Sequence, residues 1–183
     1  MNRFSALIIG LSIFAVGCSD STPSAPTQGT TTTSTFTVPL SPANEVPAIA
    51  NADASGSGTV IIALTATKDG AGNITSASAN FQISVSGFPA GTRVTDAHIH
   101  AAAAGSNGGV IVNAGLAAGE LVVSNGSGSV TKNGIAVPAD RAAAILNKRA
   151  GHYFNVHTAL NPDGAIRGQL SEGTFDPGTA VPY

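Results

Sequence analysis

The four histidines of this 183-residue chain fall in two short stretches, Thr95-Asp-Ala-His-Ile-His100 and His152-Tyr-Phe-Asn-Val-His157. Side chains of a strand alternate between its faces, so His98 and His100 point one way and Ile99 the other. By the same count Asn155 and His157 share a face, while Phe154 and Val156 share the opposite one. Each stretch, read as a strand, is apolar on one side and hydrogen-bonding or metal-ligating on the other. Imidazoles at i and i+2 have Cα atoms about 6.5 Å apart, close enough to share one ion. His157 on a neighbouring strand could supply a third ligand. Asp96 has the parity of His98 and could be a ligand or an acceptor behind one. A donor set of nitrogens without thiolate suits Cu(II), Zn(II) or Ni(II) rather than Cu(I), and in an exported protein copper or zinc is the expected guest.

A second reading uses the same residues without an ion. The histidines, Asn155 and Arg167 could form a hydrogen-bonded row that closes a sandwich. His152 has the opposite parity and follows a helix stop, so a solvated or capping role is expected for it.

Other chemistries find little support. There is no Gly-x-Ser-x-Gly elbow, no P-loop and no dinucleotide fingerprint, and Gly126-Ser-Gly128 reads as a turn. Charged residues make up only 10% of the chain and the formal net charge is −2, so there is no basic field for nucleic acid.

The chain opens as an export signal. Arg3 gives a positive start, and Ala6 to Val16 form an apolar core too short to cross a bilayer. Ala15-Val-Gly-Cys18 resembles a bacterial lipobox, whose cysteine is lipidated and becomes the mature N-terminus. Cys18 is the only cysteine, so no disulfide can staple the exported domain and a packed core must hold it. The expected product is a cell-envelope lipoprotein on the outer membrane or cell surface, attached to the membrane through Cys18. Residues 1–17 are then the signal peptide, and residues 18–35, rich in Ser, Thr and Pro, a flexible tether.

From Phe36 the composition changes to β-forming. Phe36–Leu40 reads as a short edge strand, with Pro39 tolerated at an edge. Gly58–Thr67 and Ile74–Ser86 flank the turn cluster Lys68–Asn73 and form a hairpin. The first histidine strand starts near Arg93. Val110–Val112, Leu121–Val123 and Gly128–Val130 are further short strands. Pro138, Asp140 and the alanines after them open one helix, which Gly151 stops. The second histidine strand follows, then the turn Asn161-Pro-Asp-Gly164 and a partner strand, Ala165–Leu170. Residues 171–183 are a tail without pattern. The expectation is an all-β protein, an antiparallel sandwich with one short peripheral helix.

Four pieces carry a family resemblance: Ala97-His-Ile-His100, Asn107-Gly-Gly-Val110, Tyr153-Phe-Asn-Val-His-Thr158 and Asn161-Pro-Asp-Gly-Ala-Ile-Arg-Gly-Gln-Leu170. They resemble the CHRD domain, first recognised in the developmental protein chordin, over residues 36–170. The chain has Ala165 where that family usually has a glutamate. The resemblance implies an immunoglobulin-like sandwich with a faint similarity to copper–zinc superoxide dismutases. In that light His98-Ile-His100 is similar to the dismutase copper ligands and Arg167 to their substrate-guiding arginine, while the dismutase cysteine pair has no counterpart. Three functions follow as expectations: a binding or interaction module for an unidentified protein or small ligand, holding one metal ion; a dismutase-like copper enzyme; or a purely structural envelope domain.

Overall fold

The computed structural model describes residues 28–183, so the expected signal segment and Cys18 lie outside the described residues. Its ten strands and one helix, in chain order, are β1 (Thr30–Leu40), β2 (Ser57–Lys68), β3 (Ile74–Ser86), β4 (Val94–Ala101), β5 (Gly109–Asn113), β6 (Ser127–Ala136), α1 (Ala139–Asn147), β7 (His152–Thr158), β8 (Ile166–Gln169), β9 (Thr174–Asp176) and β10 (Val181–Pro182). They form two sheets with every neighbouring pair antiparallel. One has the order β10-β1-β2-β3-β6 with β9 also on β1, and the other the order β5-β4-β7-β8. The expected all-β sandwich with one helix is what the chain forms.

The alternation of each strand explains the layering. Phe36 and Val38 of β1, Val60 and Ile62 of β2, and Phe81 and Ile83 of β3 turn inward to meet Ile99, Phe154 and Ile166 of the other sheet. Phe81 and Phe154 stack across the gap with ring centres 5.8 Å apart. The central hairpin pairs Val60 with Ile83 and Ile62 with Phe81, as the period-two pattern predicts. Helix α1 buries only Ala142 and Ile145, with Asp140 in its first turn, and sits at the periphery.

Four expectations need correction. The strand placed at Phe36–Leu40 begins at Thr30, so the last six residues assigned to the tether are sheet. Threonine is strongly β-forming, and the run pairs with β2, where Thr31 and Thr33 meet the Thr67 and Thr65 hydroxyls at 3.1 and 2.7 Å. Nor is β1 an edge, because the tail expected to be featureless adds β9 and β10 to its other side. Phe175 of β9 packs on Phe36 at 5.0 Å, with the Arg149 guanidinium 3.9 Å over its ring. Pro39 lies beyond the β9 pairing, which stops at Thr37. Finally, Leu121–Val123 makes one bridge, Arg93 with Val122, rather than a strand. The tight turn at Asn125 and Gly126, both with positive φ, follows too soon for a longer ladder.

Candidate metal centre

The two histidine stretches are neighbouring strands. Asp96 pairs with His157, His98 with Asn155 and His100 with Tyr153, and on the far side of β7 Asn155 pairs with Arg167 and Tyr153 with Gln169. Ala97, Ile99, Phe154, Val156 and Ile166 turn into the core, leaving the named polar residues on the outer face of the sheet. That face is largely covered, with Asp96 and His98 only partly buried. Every residue of β7 is buried, Phe154 and Val156 by the core and the outward-facing residues by two segments that fold over them, residues 41–56 and 101–108.

Hydrogen bonds pin both covers. Arg167 Nε donates to the Asn44 carbonyl, and its Nη1 donates to the Ser106 carbonyl at 3.3 Å and to Asn107 Oδ1 at 2.9 Å. Asn107 then donates to the Val46 carbonyl at 2.7 Å, tying one cover to the other. At the other end Asp53, only 1% exposed, accepts from Thr158 at 2.7 Å and from Asn161 at 2.6 Å through one carboxylate oxygen.

Within this layer His98, His100 and His157 each offer a nitrogen, all within 4.8 Å of one another. The opposite ring nitrogens are held elsewhere. His100 Nδ1 donates to the Gly108 carbonyl at 2.9 Å and His157 Nδ1 to the Pro162 carbonyl at 2.8 Å, since a carbonyl can only accept. His98 Nε2 stands 3.0 Å from Asp96 Oδ2 and 3.2 Å from Asn113 Nδ2. The nitrogens that remain are His98 Nδ1, His100 Nε2 and His157 Nε2. Tetrahedral ligands of a zinc-sized ion stand about 3.3 Å apart, and the first and last of these, within hydrogen-bond distance of each other, are already 3.1 Å apart. His100 Nε2 is fully buried with no hydrogen-bond partner, the state expected of a donor atom that faces a cation. A carbonyl or carboxylate on the far nitrogen of each ring is also what orients metal-bound imidazoles. The residues present therefore fit a nitrogen-ligated ion.

The CHRD domain model matches residues 36–170, more than half of the chain. The chain belongs to the CHRD domain family. No curated protein and no solved structure gives a match.

The four motifs of this CHRD domain have distinct jobs in the layer. His98 and His100 supply two of the converging nitrogens, and Asn107-Gly108 fastens a cover and fixes the His100 ring. Tyr153 to Thr158 contributes Asn155 and His157, and the Asn161–Leu170 piece makes the turn that holds His157 before delivering Arg167. Ala165, where the family usually has a glutamate, is fully buried, and its N–H donates to the Val156 carbonyl at 2.8 Å.

Burial tunes the layer's protonation. The pKa values of His100 and His157 are pushed below that of free histidine, chiefly by desolvation; the carbonyl bonds oppose this at both, neighbouring positive groups add to it at His100, and at His157 the His98 charge adds to it while Asp96 and Asp163 oppose it. Both rings are therefore biased towards the neutral form a metal requires. Glu45 is shifted the other way, to about 7, because burial outweighs the nearby Arg167 charge.

Arg167 is 3% exposed and consumed by carbonyls, so it is a fastener rather than a solvent-facing guide for anions. Asn155 sits at the centre of the layer, 1% exposed, with its Oδ1 unpartnered. His152 proves to be a cap and not a solvated side chain, buried with its Nδ1 2.9 Å from the carbonyl of Lys148 at the end of α1. Tyr153 was not singled out from the sequence, although it shares the parity of Asn155 and His157. Its ring stacks on His100 at 4.8 Å and 5°. Glu45 had no periodic signal, since it lies in a loop.

Proposed function

We propose that this CHRD domain is an exported binding module that holds one copper or zinc ion through His98, His100 and His157. The observation that carries the reading is the convergence of three ring nitrogens whose opposite nitrogens are each held by an oxygen acceptor. Asp96 backs His98, and the Gly108 and Pro162 carbonyls back the other two. The bound ion would supply a positive centre able to take a further ligand on the side of His98, the least buried of the three. The chain's own contribution is orientation, neutral imidazoles and partial exclusion of water.

We further propose that the mature chain is a lipoprotein attached at Cys18 to the outer membrane or cell surface. In that setting the tether enters β1 at Thr30, while Ser41, just past its other end, bridges Arg167 of the polar layer. Ten residue steps of strand span roughly 33 Å, so the site would be presented away from the bilayer.

Tyrosine emission tests the metal reading, because the chain has no tryptophan and only two tyrosines, one of them stacked on His100. Adding Cu(II) to the metal-free domain carrying Tyr183→Phe should quench emission with one-to-one stoichiometry. Emission that does not change, or that changes equally in a His98→Ala/His100→Ala variant, contradicts the site. For the anchor, Cys18→Ser should release the protein from the membrane fraction, and unchanged fractionation contradicts it.

A further inference from the structure

Arg167 contacts none of the three converging histidines through a hydrogen bond, yet two routes lead from its guanidinium to His100. In the first, Nη1 holds the Ser106 carbonyl and Asn107 Oδ1, and the next residue is Gly108. The Gly108 carbonyl accepts from His100 Nδ1, and the Gly108 N–H donates to the Tyr153 hydroxyl at 3.3 Å. In the second, the guanidinium lies 4.6 Å over the Tyr153 ring, whose plane is parallel to that of His100. Gly108 tolerates this placement because it has no Cβ. A methyl group there would collide with the Ala101 carbonyl, so a residue with a side chain could not take this place without moving the loop or the end of β4.

We infer that Arg167 is a positioning residue for the metal site, holding His100 in the tautomer that leaves Nε2 free by fastening the 101–108 cover. A neutral imidazole in water prefers neither nitrogen strongly, so the Gly108 carbonyl decides which one carries the proton. If the cover drifts, the His100 proton can move to Nε2 and occupy the position a metal needs. The mobile partner in that event is the cover, because β4 and β7 are locked by their ladder. His157 provides an internal control. Its Nδ1 is held by Pro162, in the turn after β7, which Arg167 does not fasten through Asn107. The consequence for affinity rests on the proposed metal binding, whereas the consequence for the tautomer rests on the hydrogen bonds alone.

The test compares Arg167→Lys with the unaltered chain, both metal-free, by long-range nitrogen–proton correlation NMR of the histidine rings. Lysine keeps the charge but cannot make the forked contact or lie flat on Tyr153. The expected result is that His100 changes from an Nδ1–H form to a mixture while His157 stays in its Nδ1–H form, and that Cu(II) affinity falls by about 10- to 100-fold, the range for losing an outer support of a ligand. Asn107→Ala removes the shorter of the two Nη1 contacts, with the Val46 tie, at an exposed residue and without disturbing a buried charge, and it should give the same selective mixing to a smaller extent. An unchanged His100 tautomer in folded Asn107→Ala, or equal changes at His100 and His157 in either variant, overturns the inference. An unaltered chain that takes up no Cu(II) contradicts the metal reading, while the tautomer comparison still decides the role of Arg167.

Discussion

Replacing Glu45 with glutamine probes the polar layer through its most perturbed group. Glu45 is 7% exposed, its Oε1 has no partner, and its pKa stands at about 7 against an ordinary 4.5. A folded-state pKa raised above the unfolded one means that stability is fully present below about pH 4.5 and is lost as pH rises through about 7. A displacement of 2.5 units, from 4.5 to 7, corresponds to about 3.4 kcal/mol at 1.36 kcal/mol per unit. Relaxation of the covering loop and entry of water reduce that figure, so about 2 kcal/mol is expected. Glutamine resembles the neutral acid and has nothing to ionise. His100 and His157 act in the opposite sense, their lowered values making stability fall as pH drops below about 6.5, but they are present in both proteins. The assay is urea unfolding of both chains, with chelator, from pH 4 to 8. The unaltered chain should lose about 2 kcal/mol relative to Glu45→Gln across that interval. A difference independent of pH, or a Glu45 carboxyl carbon that titrates near 4.5 by NMR, refutes the reasoning.

Other predictions concern the same architecture. Gly164 has φ of 134°, and a Cβ there would stand 2.9 Å from both Asn155 Oδ1 and Glu45 Oε1, so Gly164→Ala should cost about 2–4 kcal/mol in urea unfolding. Phe154→Ala removes a fully buried ring stacked on Phe81 and should cost about 3–5 kcal/mol, measured in the same way. Cu(II) affinity, followed by titration calorimetry, should change little between pH 8 and 7. It should weaken as pH falls below the ordinary histidine value of 6.5, because bound imidazoles must be neutral and the lowered values of His100 and His157 delay their protonation.

The sandwich was legible because both sheets bury one face, so Phe81, Ile83 and Val85 on one strand and Phe154 and Val156 on another declare themselves at period two. The histidine face was legible for the same reason, since parity alone puts His98, His100 and His157 on one side once β4 and β7 are adjacent. Adjacency itself is a matter of topology, and no local pattern in either stretch encodes it. The tail was missed because Phe175 and Val181 are isolated apolar residues among glycines and prolines, and only their pairing with β1 makes them strands. The threonine run was misassigned because a polar composition suits a tether as well as a half-exposed strand, and the β2 register decides between them. Glu45 and Asn107 lie in covers whose path depends on Arg167, a contact across more than a hundred residues in the first case. Loop residues of this kind carry no periodicity from which their neighbours can be read.

The most direct measurement of the central claim is the metal content of the purified mature domain after equilibration with Cu(II) or Zn(II) and removal of excess ion. About one ion per chain is expected, reduced to background in the His98→Ala/His100→Ala variant while its fold is retained. A folded domain that emerges with no bound metal, or a variant that retains as much as the unaltered chain, contradicts it.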